Sequence, residues 1–118
     1  MSHAGVPQIS VKEVARKLAD GAELVILDVR EPFEVLRARL PGPQVCYAPV
    51  SRLAREGLPA LPAQVQDRQA EIVVVCHHGV RSADVTAWLR AQGWERVASM
   101  TGGLEAYAVH IDSSIGRY

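Results

Sequence analysis

Apolar and polar positions fall in blocks along this chain, and the period changes from block to block. Val11, Val14, Ala15 and Leu18 recur at helical spacing. Ser10 and Glu13 stand ahead of them at the spacing of a capping box, and Gly21 supplies a stop. The run Leu24-Val25-Ile26-Leu27 is continuously apolar and ends at Asp28. Such a run suits a parallel strand covered by helices on both faces. Pro32 fits the first position of a short helix over residues 32–38, and Pro41, Gly42 and Pro43 break the chain. Residues 45–48 read as a short strand. Ser51 is expected to cap a short helix before Gly57, residues 58–62 read as loop and residues 63–68 as another short turn of helix. Ile72-Val73-Val74-Val75 is β-branched throughout and is the strongest strand signal. Residues 76–81 read as a loop, followed from Ser82 by a helix whose face carries Val85, Trp88 and Leu89 and which stops at Gly93. Residues 96–100 predict a last strand, Thr101-Gly102-Gly103 a turn and residues 104–110 a last helix. Residues 112–118 have no readable period. Strands alternating with helices indicate an α/β architecture with a mostly parallel sheet.

Composition narrows the class. The 118 residues fit one domain, without internal repeat or linker. Hydrophobic residues make up 48% and charged residues 22%, which is neither a disordered nor a membrane composition. Lys plus Arg and Asp plus Glu number 13 each, so nothing points to nucleic acid or an anionic membrane as a partner. The longest apolar run is far shorter than a membrane span. Residues 1–10 lack the basic and apolar stretches of a signal peptide, leaving the cytosol as the expected compartment. Two cysteines, Cys46 and Cys76, are too few for a disulfide framework. Cys46, between Val45 and Tyr47 in an expected strand, reads as a core thiol.

Cys76-His77-His78-Gly79-Val80-Arg81-Ser82 lies between the best strand and the best helix. In open α/β sheets ligands bind beyond the carboxyl ends of strands, which is where this places the thiol of Cys76. The loop leads into a helix amino terminus, where unpaired N–H groups and the dipole favour negative charge. Gly79 permits a tight curl that would aim several N–H groups at the sulfur. The arrangement suits an anionic sulfur. Arg81, always charged and able to bind oxyanions bidentately, is the expected holder of an anionic donor. His77 and His78 supply further polar partners. One cysteine and two adjacent histidines in a tight loop make a poor metal site, so no metal is expected. No cofactor is expected either.

Cys-x-x-Gly-x-Arg-Ser after an apolar strand resembles the active-site loop of the rhodanese family. Ile9-Ser10-Val11 resembles that family's opening into its first helix. Leu27-Asp28-Val29-Arg30-Glu31-Pro32 resembles its Asp-x-Arg-Glu segment, and Leu40-Pro41-Gly42 its Ile-Pro-Gly turn. Trp88-Leu89-Arg90-Ala91-Gln92-Gly93 and Thr101-Gly102-Gly103-Leu104-Glu105-Ala106 resemble its closing elements, in order. The likeness covers residues 9 to about 108. It implies a five-stranded, mostly parallel sheet flanked by helices on both faces. It also implies a double displacement, in which Cys76 takes a sulfane sulfur from a small donor such as thiosulfate. The persulfide is then passed to an acceptor such as cyanide or a thiol, including one on a carrier protein. By the same likeness His77, His78, Gly79, Val80, Arg81 and Ser82 bind the persulfide and the donor, and Asp28 and Arg30 brace the loop. Three places depart from the family pattern. Ala38-Arg39-Leu40 stands where a Gly-His pair is common, Tyr107 stands for a Trp, and residues 43–49 run one residue long.

Two other functions compete. Cysteine phosphatases and arsenate reductases of related fold need Cys-x5-Arg, whereas Cys76 to Arg81 is Cys-x4-Arg. The shorter cradle favours one sulfur over a phosphate. A non-catalytic binding or regulatory domain of the same fold is the other rival; the presence of Cys76 keeps the chemistry available.

Overall fold

The computed structural model describes residues 5–118. The reading of residues 1–10 therefore falls in part on residues 1–4, outside the described residues. Five strands form one sheet in the order β1-β5-β4-β2-β3, every neighbouring pair parallel. The strands are β1 (Gln8–Ile9), β2 (Val25–Asp28), β3 (Val45–Tyr47), β4 (Ile72–Val75) and β5 (Val97–Met100). The helices are α1 (Val11–Ala19), α2 (Pro32–Val35), α3 (Val50–Glu56), α4 (Ala63–Gln66), α5 (Val80–Ala91) and α6 (Gly103–His110). Short 3₁₀ turns span Leu58–Ala60 and Ser113–Ile115.

The continuous apolar runs do what a doubly covered sheet requires. On β4, Ile72 and Val74 join one core with Leu27, Val65, Leu89 and Trp94, beneath α3, α4 and α5. Val73 and Val75 join a second core with Val14, Ile26, Leu104 and Tyr107, beneath α1 and α6. The Trp94 indole, fully buried, donates to Val65 O at 2.8 Å. Register sets Asp28 level with Val75, so the carboxyl ends of β2 and β4 open on the same side.

Several boundaries differ from the sequence expectation. α5 begins at Val80, not Ser82, because Gly79 at φ +102° turns the chain straight into the helix. Arg81 thus lies in the first helical turn rather than in a loop. Ser51 caps nothing: Pro49 precedes α3, and Ser51 Oγ donates to Glu31 Oε1 at 2.8 Å. α2 stops at Val35 instead of Ala38. Ser10 does cap α1, accepting from the Glu13 amide at 3.1 Å, but the Glu13 carboxylate turns to Arg16. β1 and the turn at Ser113–Ile115 gave no sequence signal, since two or three residues carry no period.

Candidate active site

Cys76 follows the central strand β4 and is 1% exposed. The amides of Gly79 and Ser82 donate to its Sγ at 3.1 and 3.3 Å. The thiol itself donates to Ser82 Oγ at 3.4 Å, and Ser82 Oγ shares a 2.7 Å hydrogen bond with Ser99 Oγ on β5. With an ionised sulfur the 3.4 Å contact reverses: Ser82 would donate to sulfur and accept from Ser99. Both hydroxyls are wholly buried, so their bonds have no competition from water. The loop keeps its N–H groups inward because its carbonyls are held from outside. Cys76 O and His77 O accept from the amides of Leu104 and Glu105 at the start of α6, at 2.9 and 3.1 Å. Only glycine fits this contact, since a Cβ on Gly103 would lie 2.3 Å from His77 O.

Asp28 and Arg30 form a buried pair, Arg30 Nη2 to Asp28 Oδ2 at 2.8 Å. Arg30 also donates to Ala38 O at 2.6 Å, Glu34 O at 3.3 Å and Tyr118 Oη at 3.1 Å. These contacts fix the segment after β2 and the end of α2. Glu34, on α2, receives the Arg81 fork: Nη1 to Oε2 at 2.6 Å and Nη2 to Oε1 at 2.8 Å. The Arg81 guanidinium holds the Glu34 carboxyl down at about 2. Arg81 is correspondingly raised. Asp28 and Arg30 therefore reach the loop through Glu34 and Tyr118.

His77 stacks between two rings, 4.0 Å from His78 and 4.0 Å from Tyr118. Burial, and secondarily the neighbouring His78, push the His77 imidazole down from its ordinary value. Cys46 lies apart from the site, its thiol donating to Ile26 O at 3.6 Å. Burial pushes that thiol up to about 11, so it stays protonated at neutral pH. Trp88 is half-buried against the core under α5.

Glu34, Ser99 and Tyr118 belong to this site and were not singled out in the sequence, and Gly103 was read only as part of a turn and of the closing segment. Ser99 carried a usable signal, as a polar residue inside an otherwise apolar strand. Tyr118 carried none, because the residues before it have no period.

The family model described as "Rhodanese-like domain" matches residues 10–110. The chain is 34% identical over 116 residues to Rhodanese-like/PpiC domain-containing protein 12, chloroplastic, of Arabidopsis thaliana; it spans 38% of that relative's length and the match takes in 96% of this chain. It is 27% identical to a sulfurtransferase of Allochromatium vinosum, covering 89% of this chain and 91% of that one. It is 28% identical to thiosulfate sulfurtransferase GlpE of Pseudoalteromonas translucida, covering 86% and 89%. Among solved structures, a rhodanese-related protein from Thermoplasma volcanium superposes with a TM-score of 0.72 at 26% identity, covering 89% of this chain and 93% of that one.

Proposed function

The chain belongs to the rhodanese-like domain family, and from that premise we propose that it is a sulfurtransferase carrying sulfane sulfur on Cys76 as a persulfide. The ionised Cys76 attacks the outer sulfur of a donor such as thiosulfate. The S–S bond of the donor breaks, sulfite leaves with the electron pair, and Cys76 keeps one extra sulfur. A nucleophile such as cyanide, or a thiol that can be part of a carrier protein, then attacks that outer sulfur. Thiocyanate or a new persulfide leaves and Cys76 is restored. The two steps balance without a cofactor.

The observation that carries this reading is the pair of amide contacts on Cys76 Sγ from Gly79 and Ser82. They are fixed dipoles aimed at a sulfur anion in a water-poor site, where such donors act most strongly. The first amides of a helix have no intrahelical acceptor, so those of Val80 and Arg81 are left for the outer sulfur. His77 and His78 stack beside the loop, His77 also against Tyr118. Arg81 adds charge to a donor only as far as Glu34 releases it. Asp28 and Arg30 serve as framework. The balanced charge and two free cysteines fit a reducing compartment such as the cytosol. Among the described residues no helix is long and apolar enough to cross a membrane.

Incubation with thiosulfate should add the mass of one sulfur atom, mapped to the peptide holding Cys76. Cyanide should remove it and release thiocyanate, and aryl phosphates should stay intact. Hydrolysis of phosphate esters without any sulfur added would sink the reading in favour of a phosphatase. No sulfur from any donor, with no hydrolysis, would leave a binding domain.

A further inference from the structure

The guanidinium nearest the catalytic loop is occupied. Arg81 gives both terminal nitrogens to Glu34, and the two Glu34 oxygens have further donors. Tyr118 Oη donates to Oε1 at 3.0 Å and the Glu31 amide to Oε2 at 2.9 Å. The carboxylate is thus held from both sides, and it cannot swing away from Arg81 without losing both. Tyr118 is itself fixed. Its hydroxyl accepts from Arg30 at 3.1 Å and its ring stacks on His77 at 4.0 Å. The chain leading to it is anchored by buried Ile115, whose carbonyl accepts from the Arg39 amide at 3.1 Å. Gly116, at φ +97°, packs where a Cβ would meet Arg37 O at 2.7 Å. Neighbouring cations are also paired, Arg30 with Asp28 and Arg117 with Glu105. Tyr118 itself lies beyond the matched span of residues 10–110, whereas its partners Arg30, Glu34 and His77 lie within it.

We propose that Glu34 and Tyr118 form a latch on Arg81 that selects sulfur donors by charge, favouring those of low negative charge over the thiosulfate dianion. Tyr118 is a positioning residue, acting through Glu34; Glu34 is the specificity-determining residue. A dianion approaching Cys76 meets the Glu34 carboxylate beside Arg81 rather than a free guanidinium. To use Arg81 it must displace a carboxylate that three donors hold. Like charges at such a contact discriminate against the wrong partner. A donor that brings one negative charge less, such as an organic thiosulfonate or persulfide, does not need Arg81 released. This rests on the sulfur-transfer reading above.

The test compares thiosulfate with methanethiosulfonate, in which a methyl replaces one oxyanion. Both deliver one sulfur to Cys76, releasing sulfite and methanesulfinate respectively. With cyanide as acceptor, the ratio of kcat/KM for thiosulfate to that for methanethiosulfonate is measured in the unmodified protein, Tyr118→Phe and Glu34→Gln. Tyr118→Phe keeps the ring stack and removes only the hydroxyl. The ratio should rise about threefold in Tyr118→Phe and about tenfold in Glu34→Gln, through a lower KM for thiosulfate with kcat little changed. Adding Arg81→Ala to Glu34→Gln should cancel the rise. An unchanged ratio in both variants, or a change in kcat alone, overturns the latch while leaving sulfur transfer in place. Absence of added sulfur on Cys76 with either donor overturns the sulfur-transfer reading, and the latch with it.

Discussion

The two cysteines lie on either side of β2, Cys46 in β3 and Cys76 just after β4, and differ in what faces the sulfur. Cys76 Sγ accepts two backbone amides, whereas the Cys46 thiol meets the Ile26 carbonyl, which can only favour the protonated form. Cys76→Ser should abolish sulfur transfer and keep the fold, because a hydroxyl forms no persulfide. Cys46→Ser should keep most activity and lose about 1 kcal/mol of stability, as ordinary buried substitutions do. Steady-state rates and urea midpoints check both; transfer surviving in Cys76→Ser refutes the mechanism. Glu34 gives a separate prediction. Its carboxyl is held at about 2 in the fold, chiefly by Arg81, against an ordinary value of 4.5. A depressed carboxyl stabilises the fold above the ordinary value, and that contribution disappears as pH falls from 4.5 to about 2. Stability measured across this range should therefore fall less steeply in Glu34→Gln than in the unmodified protein. Parallel acid limbs would show that the pair contributes nothing.

At the scale of elements, the loop after β4 is only half of the cradle. The other half is the start of α6, where the amides of Leu104 and Glu105 hold the Cys76 and His77 carbonyls. Gly103, at φ +65°, makes that contact possible. Gly103→Ala should cost about 2–3 kcal/mol and lower the rate of persulfide formation, since the loop carbonyls must move. Thermal melting and single-turnover loading measure the two effects; full loading at the normal rate would show that contact to be dispensable. Legibility follows the same division. β2 and β4 were readable because buried parallel strands are continuous apolar runs, β5 because only Ser99 breaks its apolar run, and the cysteine loop because glycine and polar residues follow β4 directly. The Glu34–Arg81 pair was not readable. It joins residues 47 apart in the chain, and nothing local in a short helix says where its carboxylate will turn. β1 depends wholly on pairing with β5, which a two-residue segment cannot announce.

For the molecule as a whole, the alternation of strands and helices was enough to give the class, and the sheet proves all-parallel where a mostly parallel one was expected. The final segment was opaque because its order comes from side chains elsewhere: Ile115 enters the core beneath α6, and Tyr118 reaches Arg30 and Glu34. The sheet order also puts Cys76 just beyond the middle strand of five, with every β4 residue buried. Amides in such a position exchange with solvent only when the entire fold opens, whereas those of an edge strand exchange by fraying. Deuterium uptake should accordingly be slowest at Ile72–Val75 and fastest, among the strands, at Gln8–Ile9. Uptake in β4 as fast as in β1 would contradict this. A sulfur seated just beyond the most protected strand lies in a cradle of amides that fraying at the sheet edges leaves in place.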